Sequence, residues 1–179
     1  PLGKTIGNTA EVLEAREAMT TGKPSDLVEL TAELAYHVLQ LAKVNTTLEQ
    51  IIKLMTTGKA LAKFEQMVRV QGGNLDELQQ LSWVPVKSSV TGVLKGIDCA
   101  QLSNLLTTMG GGRMQKDDSL NHHCAIRIDI TVGERVQQGQ TVAHICHDEP
   151  LRFTSEILSS FKWSDTHVAP LPLILETIG

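Results

Sequence analysis

The chain is poor in aromatic residues: Phe, Trp and Tyr make up 3% of its 179 positions. A core must therefore be built from Leu, Val, Ile, Ala and Met. Hydrophobic residues at 41% and charged residues at 20% are ordinary for a soluble globular protein. No apolar run approaches the about 18 residues that a membrane-spanning helix needs, so no membrane partner is expected. The first residues do not read as a secretory leader either. Basic residues are outnumbered, 16 Lys and Arg against 20 Asp and Glu, for a net charge of −4. That balance argues against a nucleic-acid surface. Cysteine is sparse: Cys99, Cys124 and Cys146 are odd in number and far apart, which suits reduced thiols in a cytoplasmic protein better than a disulfide framework. Methionine is missing from position 1, where Pro1-Leu2-Gly3 stands, and the chain is expected to be a piece of a longer protein.

Helical signals fill the first part of the chain. Asn8 with Glu11 three residues later reads as a capping box opening a helix over about 9–20, with Val12, Ala15 and Met19 on one face. Gly22-Lys23-Pro24 ends it. Ser25 or Asp26 caps a second helix, striped by Leu27, Leu30, Leu34, Val38 and Leu41. Thr46-Thr47 opens a third, with Ile51, Ile52 and Met55 inward and Gly58 closing it. Leu61, Phe64, Met67 and Val68 mark a fourth, which stops at Gly72-Gly73. Such stripes are expected to be core. A polar link, Asn74 to Gln80, follows.

From Val84 to Asp148 the pattern changes to that of a small β-rich module. Val86–Val93 opens it, Asp98 caps a helix through Leu102, Leu105 and Leu106 to Met109, and alternation returns in Ala125-Ile-Arg-Ile-Asp-Ile130. Gly133 and Gly139 lie six apart beside polar residues, which reads as turn, short strand, turn, strand. A last helix near Leu151–Phe161 and a strand over Leu173–Ile178 complete the expected elements. A division into 1–80, helical, and 81–179, mixed α and β, follows.

Candidate chemistry is sparse. Gly110-Gly111-Gly112-Arg113 has the composition of an anion loop. Its glycines follow a helix rather than precede one, so the helix dipole points the wrong way and a C-cap turn is favoured, with Arg113 free to pair with Asp117 or Asp118. His122, His123, Cys124, His144, Cys146 and His147 form the one cluster of metal-capable side chains. His122 with Cys124 and His144 with Cys146, on paired strands, could form a zinc tetrad. His-x-Cys is not a common zinc spacing, and satisfied strand residues are favoured. The glycine-marked turns at Gly92 and Gly133–Gly139 are also shared with biotin and lipoyl carrier domains. Those need a lysine on an exposed hairpin, whereas Cys-His-Asp-Glu follows Ile145 and Lys87 and Lys95 sit elsewhere. Leu2, Thr5 and Glu14 offer backbone oxygens and one carboxylate suited to a hard cation, although from spacing alone Glu14 reads as a solvated helix residue.

Pro1-Leu-Gly-Lys-Thr-Ile-Gly-Asn8 followed by Glu11-Val12 and Glu14-Ala15 resembles a signature of the pyrimidine-nucleoside phosphorylases, a family that includes thymidine phosphorylase. Asp26-Leu27, Phe64, Met67-Val68, Gln71-Gly72-Gly73, Gly92, Met109-Gly-Gly-Gly-Arg113 with Asp118, Gly133–Ile145 and Leu173–Ile178 resemble further family segments in the same order. The resemblance covers essentially the whole chain. It departs at Cys146, where members often carry His, and at Asn121–Cys124, where they are more apolar.

The resemblance implies an α/β (α+β) fold, in which the helical part of a large α/β domain is followed by a β-rich subdomain of barrel-sandwich, hammerhead-like type. It implies a transferase, a pentosyltransferase of pyrimidine salvage that cleaves thymidine or uridine with phosphate as co-substrate, cytoplasmic and homodimeric, with no organic cofactor. The catalytic and substrate-binding groups of such an enzyme are expected upstream of these residues, so the chain alone is expected to be inactive and preference between thymidine and uridine is not legible in it. A potassium ion, where members hold one, would take the carbonyls of Leu2 and Thr5 and the carboxylate of Glu14. The competing expectation is a stand-alone, non-catalytic module that binds a partner through its β-rich face. A large exposed apolar face on the first helices distinguishes the two, because a fragment has lost its covering.

Overall fold

The computed structural model describes residues 2–78 and 80–178. They form two compact units: Gly3–Glu11 with residues 80–171, and Leu2 with Val12–Leu78 and residues 172–178. A single cut near residue 80 is therefore not the whole division. The first residues join the β-rich unit because Thr5–Ile6 is a strand (β1) of its sheet. Helix α1 (Asn8–Thr21) follows, with Thr9 and Ala10 buried.

The helical unit continues with α2 (Asp26–Leu41), α3 (Leu48–Thr56) and α4 (Lys59–Val70). Local capping explains where they begin. Ser25 Oγ accepts the Val28 N–H at 3.3 Å. Thr47 Oγ1 accepts the Gln50 N–H at 3.2 Å while Gln50 Oε1 accepts the Thr47 N–H at 3.0 Å, a complete capping box. Helix α2 packs on α3 and α3 on α4. The burial is thin: Val28 and Ala32 of α2 and Ile51 of α3 are buried, and no residue of α4 is. The expected core stripes are thus only partly core. Val38 is 64% exposed, Leu41 85% and Val70 80%, because sideways packing of neighbouring helices covers one flank of each and leaves the rest to solvent.

The β-rich unit adds β2 (Val84–Lys87), β3 (Gly92–Ile97), α5 (Cys99–Leu106), β4 (Ala125–Ile128), β5 (Arg135–Val136), β6 (Thr141–Cys146), α6 (Thr154–Ser159) and β7 (Phe161–Ser164). These strands make a four-stranded sheet in the order β1-β4-β6-β2 and a three-stranded sheet in the order β5-β3-β7, antiparallel throughout. The fold is thus mixed helix and sheet. Leu94 of β3, Ile126 of β4, Val136 of β5, Ile145 of β6, Leu102 of α5 and Ile157 of α6 share one core with the relatively few aromatics, Phe153 and Phe161.

Three sequence expectations fail here. The final helix does not reach Phe161: a 3-10 turn (Pro150–Phe153) leads into α6, and Phe161 is the first residue of β7 with its ring buried in the core. Gly92 is a strand residue opposite Val136, where an added Cβ would lie 3.4 Å from the Ser164 carbonyl, and not a turn. Leu173–Ile178 forms no strand, with Leu175 83% and Ile178 85% exposed, because no described strand lies beside it to complete a ladder.

Candidate functional site

The Gly-rich turn that ends α5 is held from below. Asp98 Oδ1 caps α5 through the Gln101 N–H at 2.9 Å, and the helix runs on into a π-turn, Thr107–Gly111, in which Gly110 has φ 94°. Each of the last carbonyls then finds a donor from elsewhere. Cys124 Sγ donates to Met109 O at 2.8 Å, the Asn121 N–H to Gly110 O at 2.8 Å, and Asn8 Nδ2 to Gly111 O at 3.1 Å. Asn8 is the first residue of α1 rather than its cap, since the Gly7 carbonyl already accepts the Glu11 N–H. The helix is closed one residue earlier, where the Glu11 carboxylate accepts the Gly7 N–H at 3.1 Å.

The loop beyond it resolves the anion question. Asp118 Oδ2 accepts the N–H groups of Met114 and Gln115, at 3.0 and 2.8 Å. The anion held by this backbone is thus the protein's own carboxylate, and Asp118 is used by the loop rather than by Arg113, which is exposed.

The outer face of the four-stranded sheet carries a charged cluster. Arg127 stands opposite His144 in the β4–β6 ladder, and Asp129 lies two residues on along the same face. Arg127 Nε donates to Asp129 Oδ1 at 2.9 Å, and His144 Nδ1 lies 2.5 Å from Asp129 Oδ2. Arg127 Nη2 is also 3.0 Å from His144 Nδ1. A ring nitrogen that gives its proton to the carboxylate has no lone pair left for the guanidinium, so the Asp129 bond fixes the proton on Nδ1 and leaves Arg127 NH groups turned to Asp129 and to Trp83, over whose ring its guanidinium lies at 5.4 Å. No nucleophile is part of this cluster. Its chemistry is that of a clasp between two strands.

The metal-capable residues do not converge. Among the described residues, no three His, Cys, Asp or Glu side chains are placed to hold an ion. His122 and His123 lie in the turn before β4, and the His122 carbonyl accepts the Thr9 N–H. His144 is committed to Asp129, and His147 sits edge-on to Phe153 with its Nδ1 accepting the Glu149 N–H at 2.9 Å. Burial, with the charges of Cys146 and Asp148 nearby, pushes the Cys124 thiol up to about 11, so it persists as a thiol. Burial likewise raises Cys146. Lys87 and Lys95 are exposed on β2 and β3, within strands and not at a hairpin tip.

Of the proposed cation ligands, Leu2 is half exposed, Thr5 is buried in β1, and Glu14 is a half-buried residue of α1. Thr5 faces Arg127 at a position between ladder bonds, since the Ile128 N–H donates to Lys4 O and the pairing alternates, so the Thr5 carbonyl is directed away from β4. The helical unit has its own concavities. One, of about 200 Å³, is lined by Arg16 of α1 and Glu65 and Arg69 of α4, and a second by Leu13, Glu17 and Leu61.

Residues 93–160 match the family model described as the pyrimidine nucleoside phosphorylase C-terminal domain. A thymidine phosphorylase of Mycobacterium tuberculosis is 30% identical over 99% of this chain and 42% of its own length. Pyrimidine-nucleoside phosphorylases of Bacillus subtilis and Staphylococcus epidermidis are each 31% identical, over 78% and 81% of this chain. The chain belongs to the pyrimidine-nucleoside phosphorylase family. It spans about two fifths of the length of these relatives.

Within the family frame, the segments that carried the resemblance meet in space: the signature at Gly7-Asn8 is bonded to the Met109–Arg113 turn, 103 residues away. Neither this bond nor the Asp129–His144 pair is legible from residue spacing. Alternation in Ala125–Ile130 puts Arg127 and Asp129 on one face, but the strand that supplies His144 follows only from the register.

Proposed function

We propose that this chain is the C-terminal portion of a pyrimidine-nucleoside phosphorylase, an enzyme that cleaves thymidine or uridine with phosphate to give free base and pentose 1-phosphate. The observation that carries the proposal is the 30% identity to a thymidine phosphorylase across 99% of the chain. The exposed apolar residues of α2 and α4 support it, since solvent-facing Val38, Leu41 and Val70 suit a face that a further part of a longer protein covers. In this reading the enzyme is a cytoplasmic pentosyltransferase of pyrimidine salvage, acts as a homodimer, and has this chain as the helical edge and the barrel-sandwich-like subdomain of its larger α/β domain.

The groups that bind phosphate and base lie outside these residues. Catalysis rests on positioning and electrostatics: phosphate attacks C1′ as the sugar gains oxocarbenium character, and donors stabilise charge developing on the departing base. Exclusion of water from the closed cleft keeps it from competing with phosphate. A potassium ion bound by the Leu2 and Thr5 carbonyls and the Glu14 carboxylate fits the all-oxygen donor chemistry of a hard cation, and would supply fixed positive charge beside the bound phosphate.

The test is a phosphorolysis assay on thymidine and uridine, with intact mass measured on the same sample. Phosphate-dependent release of base from a preparation in which this chain accompanies an upstream polypeptide supports the proposal. A preparation that contains the complete protein and releases no base from either nucleoside refutes it and favours a binding module.

A further inference from the structure

Helix α2 has two apolar sides. Val28 and Ala32 form the buried one, and the helix packs on α3. The other is a stripe at helical spacing, Leu27, Leu30, Leu34, Val38 and Leu41. At about 100° per residue its centre lies about 140° around the axis from the buried side. Exposure grows along it: Leu27 and Leu30 are half-buried, Leu34 is 56% exposed, Val38 64% and Leu41 85%. A helix side turned to water is ordinarily polar, so an unbroken apolar stripe there marks a contact surface.

The spacing of the stripe points to what meets it. Leu30 and Val38 stand four residues either side of Leu34, and Leu27 and Leu41 seven. Such a stripe is complementary to its own reversed copy, which is what a two-fold contact requires. Two α2 helices laid antiparallel across Leu34 bring Leu34 against Leu34, Leu30 against Val38 and Leu27 against Leu41. Charge selects the same arrangement. The charged residues of α2, Asp26, Glu29 and Glu33, all precede Leu34. Glu29, Glu33, His37 and Gln40 run along one flank, with Glu33 and His37 4.0 Å apart. Antiparallel pairing sets Glu33 beside His37 of the second copy and Glu29 beside its Gln40, whereas parallel pairing would stack glutamate on glutamate. The helix dipoles are then opposed as well.

We propose that α2 is a self-association helix, at which two copies of this chain pair antiparallel about Leu34. The exposed apolar residues thus divide: the α2 stripe is met by a second copy, and Val70 of α4 lies outside it. One helix of about 24 Å per copy makes a contact at the small end of protein interfaces, so the dimer is expected to dissociate in the micromolar range.

Sedimentation velocity on the full chain over about 5–300 µM follows the association. The unaltered chain is expected to pass from monomer to dimer across that range. Leu34→Glu sets two carboxylates against each other on the axis and is expected to hold the chain monomeric. Val70→Glu, at a more exposed position off the stripe, is expected to leave the dimer intact. Far-UV ellipticity of each variant reports that the helices are formed. Crosslinking reads the geometry in a Cys99→Ser background, since Cys124 and Cys146 are buried. Leu34→Cys is expected to form an interchain disulfide on mild oxidation. Leu27→Cys alone is not, because its two copies lie about 21 Å apart, whereas a mixture of Leu27→Cys and Leu41→Cys chains is. A chain that stays monomeric at every concentration overturns the proposal. So does a dimer that survives Leu34→Glu, or a Leu27→Cys disulfide as abundant as that of Leu34→Cys. Each of these results leaves the phosphorylase assignment to its own assay.

Discussion

Gly7→Ala is the substitution that most directly tests the packing of β1 and α1 against the entry to β4. Gly7 has φ 140°, and an added Cβ would stand 2.5 Å from the Cys124 carbonyl and 2.9 Å from Ala125 Cα. Two costs add. Holding an alanine in this glycine region costs about 1–3 kcal/mol, and forcing a methyl into a filled site against backbone costs about 1–3 kcal/mol more. The expected loss is about 2–6 kcal/mol, against a typical domain stability of about 5–15 kcal/mol. Gly139→Ala is the control. It too has a positive φ, 85°, but nothing lies within 4 Å of its added Cβ, so only the strain of about 1–3 kcal/mol applies. Trp83 and Trp163 are the only tryptophans and both lie in the β-rich unit, so urea unfolding followed by tryptophan fluorescence reads this unit for both variants. With a slope of about 2 kcal/mol per molar, Gly7→Ala lowers the midpoint by about 1–3 M. Equal midpoints for the two variants would refute the close approach.

Other expectations concern separate contacts. Cys99 is exposed and Cys124 buried, so a thiol reagent at pH 8 labels Cys99 in the folded protein and Cys124 only after unfolding; early labelling of Cys124 contradicts its burial. Because the folded Cys124 pKa lies above its unfolded value, its contribution to stability is complete below the unfolded pKa of 9.0 and fades as pH rises toward about 11. Cys124→Ala should flatten that alkaline decline in a urea titration at several pH values, and an unchanged decline would assign it to other groups. Asp129→Ala takes the shared acceptor from Arg127 and His144 and is expected to cost about 1–2 kcal/mol, measured by the same unfolding, with no loss indicating a solvated pair. Thr47→Ala breaks the capping box of α3 and should cost about 1 kcal/mol, read as lost helical ellipticity under urea at fixed wavelength; an unshifted transition would show the cap to be idle.

What the sequence revealed and what it hid divide along the range of the interactions. Ser25, Thr47 and Asp98 cap their helices through bonds to the N–H three residues on, so composition and spacing suffice to place them. Gly133 and Gly139 likewise mark turns on either side of β5 through backbone angles that are local. Spacing alone reads Asn8 as a cap, whereas the helix starts one residue sooner and the Asn8 side-chain NH2 donates to a carbonyl 103 residues away. Apolar spacing continuing from α6 draws Phe161 into a helix, whereas its strand is decided by pairing with Ile97 of β3. The stripe through Leu34, Val38 and Leu41 is helical as expected, but periodicity records which face is apolar and not what covers it.

The same distinction explains why a family could be recognised in a chain that displays no catalytic constellation. Gly7 and Gly111 recur in the signatures that carry the resemblance, and at both an added Cβ would fall within 3 Å of a neighbouring group. A residue confined in that way is fixed by the architecture whatever reaction the protein performs, so these positions stay legible even where substrate contacts are absent. The resemblance therefore reports on how the start of α1 seats against the turn after α5, and the chemistry is inferred from the relatives alone. An activity assay and a stability assay consequently interrogate different claims. A Gly7→Ala variant that unfolds readily tests the seating, and only phosphorolysis by the complete protein tests the reaction.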